Sequence, residues 1–220
     1  MNNAEIINET KSILKGNYNK VIVPFFLLAI ISAVLQNEDV IGNIYSNYGA
    51  FSGAVYSVLA LVVNSVIAVG LASFSLSIIE GQIDTSKLKF GLDIIPKALI
   101  FYVLYIIVVL LGFVCLIVPG IIFAIMFSQV YYILCKDPEI GVIDAFKKSA
   151  TMMNGHKWQY FKLNLRYVLY FILSIFTLFI WALWLFPQMY TSYALFHAKV
   201  SGSYKKEKPD TQFDLSKRIN

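Results

Sequence analysis

The sequence predicts an all-α polytopic membrane protein: a bundle of six transmembrane helices with two proline-turn hairpins and two amphipathic helices on the cytoplasmic face. Three observations lead to this class. Of the 220 residues, 58% are hydrophobic and 14% are charged, whereas soluble domains are near 45–50% apolar and about 25% charged. Long stretches carry no charge, and the basic residues cluster between them. This balance excludes a disordered chain and disfavours a soluble nucleic-acid-binding protein, so we expect no nucleic-acid partner.

The transmembrane helices are predicted from the uncharged runs, because roughly 20 apolar residues cross a hydrocarbon core of about 30 Å. One such run covers about 57 Å as a single helix, and Pro119-Gly120 is a turn signal inside it. Pro187 divides the last run in the same way. Because the fourth and sixth spans reach only about 22 and 20 Å, re-entrant hairpins at the two prolines are an alternative. The predicted spans are 18–36, 51–79, 98–118, 121–135, 163–186 and 188–200.

The charges predict the orientation. All 18 lysines and arginines fall in the N-terminal segment, in the connections after the second and fourth predicted spans, close to the start of the fifth span, or at the C-terminal end. The loop 37–50 carries Glu38 and Asp39 and no basic residue. By the positive-inside rule, both termini are therefore expected in the cytoplasm.

Two amphipathic helices are expected on the cytoplasmic face. Gly16 ends the first, whereas Asp137 caps the second and Pro138 takes its first helical position. Asp144 and Lys148 form an i,i+4 pair in the second helix. Docking on anionic lipid headgroups and a plain structural role are both open for these helices. The two helices and a basic cytoplasmic tail cover 3–15, 138–154 and 201–220.

Few polar residues fall inside the predicted spans. No Asp or Glu lies there, and Arg166 is near the inner face, as are Lys20 and Lys199 at the ends of their spans. Ion-coupled transport usually requires an ionisable group within the membrane, so an ion-driven transporter is disfavoured. Asn64, Ser128 and Gln129 form a candidate polar cluster within the membrane. Hydrogen bonding between helices and the lining of a polar cavity are the two interpretations.

Catalytic signatures are missing from the sequence. It contains no H-E-x-x-H, G-x-S-x-G, P-loop or G-x-G-x-x-G motif. His156 and His197 are far apart in the chain, and neither adjoins a carboxylate or cysteine at metal-ligand spacing. We therefore expect no enzymatic activity, no catalytic residue, no metal and no cofactor.

Several short motifs, in order along most of the chain, carry a family resemblance. They are Lys15-Gly16-Asn17-Tyr18, Gly70-Leu71, Glu80-Gly81, Pro119-Gly120-Ile121-Ile122, Asp137-Pro138-Glu139, Gly155-His156-Lys157-Trp158, Trp184, Pro187, Tyr190-Thr191 and Tyr193-Ala194. On these motifs the sequence resembles the bacterial membrane family catalogued as domain of unknown function 975. The resemblance implies a six-span protein of the cytoplasmic membrane, mostly of Gram-positive bacteria, and no known reaction. The layout is also similar to the membrane domain fused to some glycerophosphodiester phosphodiesterases.

The segment before the fifth predicted span is a candidate lipid contact. Gly155 can adopt a positive φ after the preceding helix. His156 and Lys157 are placed to meet lipid phosphates, and Trp158 is placed to set the depth of the helix. The alternative is a turn that only anchors the helix. The hypothesis predicts that replacing both His156 and Lys157 by alanine weakens the retention of anionic lipid.

These observations favour a non-catalytic integral protein of the bacterial cytoplasmic membrane, with membrane lipids as partners. A role in envelope stress or in protection against membrane-active peptides fits a small helical bundle with surface helices. Alternatives are a carrier or accessory subunit for a lipid or small amphiphile, or a membrane partner of a lipid-headgroup enzyme. Another membrane protein or a membrane-active peptide is therefore a further expected partner.

Overall fold

The computed structural model describes residues 2–115, 117–177 and 180–204, and every regular element in these ranges is helical. The side chains of residues 38, 40, 113, 115, 117 and 177 lie outside the description, as does most of the expected tail. The helices are α1 (Asn3–Leu14), α2 (Tyr18–Leu35), α3 (Glu38–Ile79), a 3₁₀ helix (Thr85–Lys89), α4 (Phe90–Asp93), α5 (Ile95–Cys115), α6 (Ile117–Met126), α7 (Val130–Lys136), α8 (Val142–Met152), α9 (Lys157–Ser174), a 3₁₀ turn (Ile175–Thr177) and α10 (Ala182–Val200).

Four segments of the described chain are long and apolar enough to cross a membrane. They are Tyr18–Leu35, Ile41–Ile79, Ile95–Gly112 and Val118–Lys136. Only 11% to 33% of the residues in their most apolar windows are buried inside the protein. Large exposed apolar surfaces of this kind mark a membrane or partner interface. The prediction of an all-α protein is therefore confirmed, and the first four predicted spans overlap these segments.

The expected loop at 37–50 is wrong, because α3 begins at Glu38 and continues through this region. A kink at Gly49, with a φ of 82°, divides the helix. The kink brings the ring of Tyr45 against Gly53, where an added Cβ would lie 2.4 Å from the ring. The acidic segment is thus helical and folds back on the start of the apolar part of α3.

The helices α5 and α6 lie side by side in antiparallel directions. Tyr105 Oη donates a hydrogen bond to the carbonyl oxygen of Ala124 at 3.4 Å. A Cβ added to Gly112 would lie 2.8 Å from the Cα of Gly120, so the two backbones approach closely. Pro119 is the third residue of α6, in the first turn, where a helix has no N–H bond to lose. The helix therefore begins two residues before the predicted proline turn.

The predicted boundary between the spans 163–186 and 188–200 is wrong. The chain breaks earlier, at the 3₁₀ turn Ile175–Thr177, and α10 begins at Ala182, so that Pro187 lies inside α10. Pro187 is the sixth residue of α10, beyond the first turn, so one upstream carbonyl of the helix lacks the N–H donor that another residue would supply. The actual break contains neither glycine nor proline, and the sequence therefore gave no turn signal there.

Helices form at both positions where amphipathic surface helices were expected, and one of them begins later than predicted. Helix α1 matches the prediction, but α8 begins at Val142, not Pro138. Lys97 donates a hydrogen bond to the carbonyl oxygen of Pro138, which satisfies that group outside a helix. The expected ion pair within α8 also differs, since Asp144 lies 3.8 Å from Lys147, its i+3 neighbour.

The buried core lies at one end of the bundle. We call residues 2–25, 62–104, 126–167 and 187–204 the inner half, and residues 26–61, 105–125 and 168–186 the outer half. Among the described residues, the inner half holds 27 of the 29 buried hydrophobic residues, and the outer half holds 29 of the 35 large hydrophobic residues that are exposed. All described lysines and arginines lie in the inner half.

The inner half is built around the end of α3, where residues 71–78 are all buried. A helix segment that is buried on every side needs neighbours all round. The other inner elements supply them, and α1 is one of these. Ile6 and Ile7 of α1 pack in one cluster with Leu195 and Phe196 of α10. The apolar stripe of α1 therefore faces protein, and only its polar face is left for a lipid surface.

Candidate functional site

The turn before α9 presents the three residues that the sequence nominated as a lipid contact. Gly155 has a φ of 80°, which favours glycine. His156 is the N-cap of α9 and Lys157 is its first residue, and both are partly buried. Trp158 is 67% exposed. A large exposed indole beside basic side chains is the arrangement that membrane interfaces favour.

The Trp158 ring is held in place from within α9. It stacks on Phe161 with 5.3 Å between ring centroids, and Lys162 Nζ lies 6.0 Å from the centroid of the indole ring. Both neighbours follow at helical spacing, so the rigidity of α9 sets the direction of the indole. This orientation is consistent with an anchor at the inner membrane surface, but it identifies no ligand.

Asn64 has partners on α2 and α3. The Oγ of Ser32 donates a hydrogen bond to Asn64 Oδ1 at 2.6 Å. Asn64 Nδ2 donates to the carbonyl oxygen of Ala60 at 2.8 Å. These contacts agree with hydrogen bonding between helices, the first of the two interpretations for this residue.

Ser128 and Gln129 lie in the turn between α6 and α7 and belong to a different group. Ser128 Oγ donates to the carbonyl oxygen of Ile125 at 2.8 Å, and Gln129 Nε2 donates to Ser128 Oγ at 2.8 Å. Gln129 Oε1 lies 3.3 Å from His197 Nδ1. The His197 ring stacks on Tyr132 with 5.3 Å between centroids. The sequence did not nominate His197 here, because 68 residues separate it from Gln129.

A second buried hydrogen-bond group joins α1, α9 and α10. Tyr167 Oη lies 2.6 Å from Ser192 Oγ and donates to the carbonyl oxygen of Gln188 at 3.2 Å. Ser192 Oγ in turn lies 3.0 Å from Thr10 Oγ1. Buried hydroxyls need such partners, since leaving one unpaired costs about 1–3 kcal/mol. Sequence reasoning missed this group because its members come from three distant helices.

Two other polar atoms on α10 are buried with no hydrogen-bond partner in the described part of the chain. They are Gln188 Nε2 and Thr191 Oγ1. Both follow Pro187, which deprives an upstream carbonyl group of its helical hydrogen bond. This stretch of α10 thus contains buried polar atoms whose hydrogen-bonding capacity is unused.

An ion-pair cluster joins α1 to the end of α10. Lys199 of α10 contacts Glu9 of α1 and lies 4.0 Å from Glu5. Tyr204 Oη donates to Glu9 Oε1 at 2.7 Å. Burial, followed by the hydrogen bond to Glu9 and the charge of Glu9, raises the pKa of Tyr204, so this phenol keeps its proton at neutral pH. The cluster fixes α1 against the end of α10.

A small open pocket lies where the end of α3, the 3₁₀ helix and the end of α7 meet. Its volume is about 100 Å³, and Lys136 Nζ pairs with Glu80 Oε1 across its rim at 2.8 Å. The residues that line it are Ser73, Leu76, Ser77, Glu80, Lys87, Cys135 and Lys136. The sequence did not nominate this pocket, because its lysines come from separate connections.

The groups described here do not form a recognisable catalytic arrangement. Among the described residues, no three His, Cys, Asp or Glu side chains come together in a way that could hold a metal ion. His197 has Gln129 and Tyr132 as neighbours, and neither is a nucleophile paired with a base.

Comparison with protein families gives a match over most of the chain. A family profile described as protein of unknown function (DUF975) matches residues 61–203, which is 143 of the 220 residues. The matched region begins near Asn64 and ends just beyond α10, so it contains the pocket and most of the inner-half core, but not the part that α1 and α2 contribute. No curated protein and no solved structure matches the chain.

Proposed function

The chain belongs to the family described as protein of unknown function (DUF975), and we propose that it is a non-catalytic integral protein of the bacterial cytoplasmic membrane. In this proposal the chain crosses the bilayer six times, with both termini in the cytoplasm. The protein acts on the membrane itself or on a partner within it. The observation that carries the proposal is the division between a charged inner half and an apolar outer half.

Support for a bilayer around the outer half comes from its exposed side chains. Phe51, Val114 and Phe176 are more than 80% exposed, although each is strongly hydrophobic. Exposing this apolar surface to water would cost a free energy of roughly 25 cal/mol per Å². Lipid chains remove that cost without any protein neighbour.

Support for six crossings comes from the last two helices. Helix α9 begins with Lys157 and Lys162, and α10 ends with Lys199, so their charged ends lie together in the inner half. Between these ends, the described residues from 168 to 186 are uncharged and include exposed Trp181 and Trp184. Paired tryptophans far from the basic end suit the opposite membrane interface. From Tyr167 to Ser174 α9 is uncharged, and these residues extend about 12 Å towards the paired tryptophans.

For its biological role, we infer envelope stress or protection against membrane-active peptides. The segment exposed on the outer face contains Glu38 and Asp39 and no basic residue, which suits contact with a cationic peptide. The carrier alternative has less support. The pocket of about 100 Å³ is smaller than the roughly 300–1,000 Å³ that small-molecule sites occupy.

Cysteine labelling tests the topology. In a chain carrying Cys115→Ser and Cys135→Ser, single cysteines replace Asn47, Ile180, Lys148 or Ser203. A membrane-impermeant maleimide applied to intact cells should label the variants at Asn47 and Ile180, and should label the other two only after lysis. Labelling of the Asn47 variant but not of the Ile180 variant would indicate four crossings instead of six. Labelling of the Ser203 variant in intact cells would overturn the proposed orientation.

A deletion strain tests the role. We expect it to be more sensitive to cationic membrane-active peptides than its parent, and plasmid-borne protein should restore resistance. Unchanged sensitivity to these peptides and to other envelope stress would reject this role without affecting the topology.

A further inference from the structure

We propose that the pocket between α3, the 3₁₀ helix and α7 binds a phosphate ester group. Its lining residues include two lysines, Lys87 and Lys136, and one carboxylate, Glu80. The net formal charge of the lining is therefore +1, and one phosphodiester anion neutralises it. This inference uses the proposed function only to place the pocket at the inner membrane surface.

Close backbone contacts fix the position of Lys87. A Cβ added to Gly70 would lie 2.5 Å from the carbonyl oxygen of Leu88, and a Cβ added to Gly91 would lie 2.4 Å from that of Val66. The two glycines thus let the segment that carries Lys87 lie directly on α3. Any larger residue at either position would force this segment away from the helix.

Hydrogen bonds to the Asp84 side chain cap the start of the 3₁₀ helix. Asp84 is the N-cap, and it accepts hydrogen bonds from Ser86 N at 2.9 Å and from Ser86 Oγ at 2.8 Å. These bonds hold the pKa of Asp84 below its ordinary value. Lys87 therefore extends from a short helix that is anchored at its start by Asp84 and along its length by Gly70.

The second lysine comes from the other wall. Lys136 ends α7 and is positioned by its 2.8 Å ion pair with Glu80. The Cys135 thiol lies 3.6 Å from the carbonyl oxygen of Val69, which ties the end of α7 to α3. The two lysines thus reach the pocket from elements whose backbones are each held against α3.

The depth of the pocket suits a phosphate group. Val69 packs in one cluster with Ala98 of α5, and the exposed apolar surface of α5 begins at Ile100. Ser73 lies about 6 Å inward from Val69 along α3, and Glu80 lies about 17 Å inward from Val69. The headgroup zone is roughly 5–8 Å thick on each side of the bilayer. The pocket therefore extends from the level of lipid phosphates into the cytosol.

Two sources could supply this group: a phospholipid of the inner leaflet or a soluble phosphate ester. Native mass spectra of the full chain, released from nanodiscs of phosphatidylglycerol and phosphatidylethanolamine, test the lipid. Calorimetric titration of the delipidated protein in detergent with glycerol 3-phosphate tests the soluble ester. Binding in either arm that depends on the pocket lysines supports the proposal and identifies the source.

The decisive variant carries Lys87→Gln and Lys136→Gln. We expect it to lower binding about 25-fold, because each direct hydrogen bond from a lysine to the bound anion contributes about fivefold. The matched control carries Lys89→Gln and Lys147→Gln, which removes the same charge from positions that do not line the pocket. The control should change binding less than twofold.

Lys87→Gln alone keeps the pair between Lys136 and Glu80, and so it covers the case in which the double variant fails to fold. It should lower binding about fivefold with an unchanged circular dichroism spectrum. Equal binding by pocket and control variants in both arms would overturn the proposal. Maleimide labelling of the same variants reports topology separately, so failure of this inference is distinguishable from failure of the proposed function.

Discussion

Two phenylalanines on α3 show how differently the two halves of the molecule use the same kind of residue. Phe74 in the inner half is completely buried, whereas Phe51 in the outer half is 84% exposed. They lie on one helix, in stretches of similar apolar composition. In the inner half, the apolar side chains are buried against other helices. In our proposal, the apolar side chains of the outer half are covered by lipid. Hydrophobicity alone thus indicates burial, but not what covers the residue.

Polar side chains show the same contrast. In the inner half, the hydroxyl groups of Tyr167, Ser192 and Thr10 are hydrogen-bonded to one another across three helices. In the outer half, Ser52 Oγ and Ser57 Oγ instead donate to carbonyl oxygens of their own helix. Contacts between helices specify how elements dock, whereas contacts within a helix only satisfy a local group. The outer half also has a contact between helices, since Tyr105 Oη of α5 donates to the Ala124 carbonyl oxygen of α6, but the buried group of three hydroxyls lies in the inner half.

The largest expected effect comes from removing a ring in the inner half. Phe74→Ala should lower the free energy of unfolding by about 3–5 kcal/mol, because it leaves a cavity among residues that cannot collapse easily. Unfolding in mixed micelles of dodecyl maltoside and SDS, followed by circular dichroism, measures this change.

Phe51→Ala is the matched control on the same helix. Its side chain has few protein neighbours, so the free energy of unfolding should change by less than about 0.5 kcal/mol. Equal losses for the two variants would show that the outer half is packed against protein, which would break the contrast between the halves.

A smaller effect is expected from one hydroxyl. Tyr167→Phe removes the hydrogen bonds to Ser192 Oγ and the Gln188 carbonyl, yet it keeps the buried ring. The free energy of unfolding should fall by about 1–2 kcal/mol, measured in the same micelle titration. Tyr48→Phe, at a residue that is 76% exposed, is the control. If Tyr167→Phe behaves like this control, the polar contacts between helices do not hold the inner half together.

The sequence predicted the helical class, the first four apolar segments and the first surface helix, because each depends on local composition. Gly16 illustrates this, since its φ of 84° ends α1 as its residue type predicts. Pro187 illustrates the limit. Proline signals a break, but tertiary contacts decide where a break occurs, and the inner half accommodates Pro187 within α10.

The candidate sites were less predictable than the fold. His156, Lys157 and Trp158 are neighbours in the chain, and so a motif could identify them. The contact between Gln129 and His197 and the pocket lysines Lys87 and Lys136 depend on how distant helices dock. One sequence without aligned relatives contains no signal for such pairs.

The smallest effect is expected at the turn before α9, where the inner half meets lipid. Replacing His156 and Lys157 together by alanine should leave folding unchanged and lower the retention of phosphatidylglycerol in native mass spectra by about fivefold, since one full positive charge near the surface is lost. Lys11→Ala, on the exposed face of α1, is the single-charge control. If both variants lose the same amount of lipid, general surface charge explains the retention. A greater loss at His156 and Lys157 would make this turn, which lies beside the exposed ring of Trp158, a specific lipid contact.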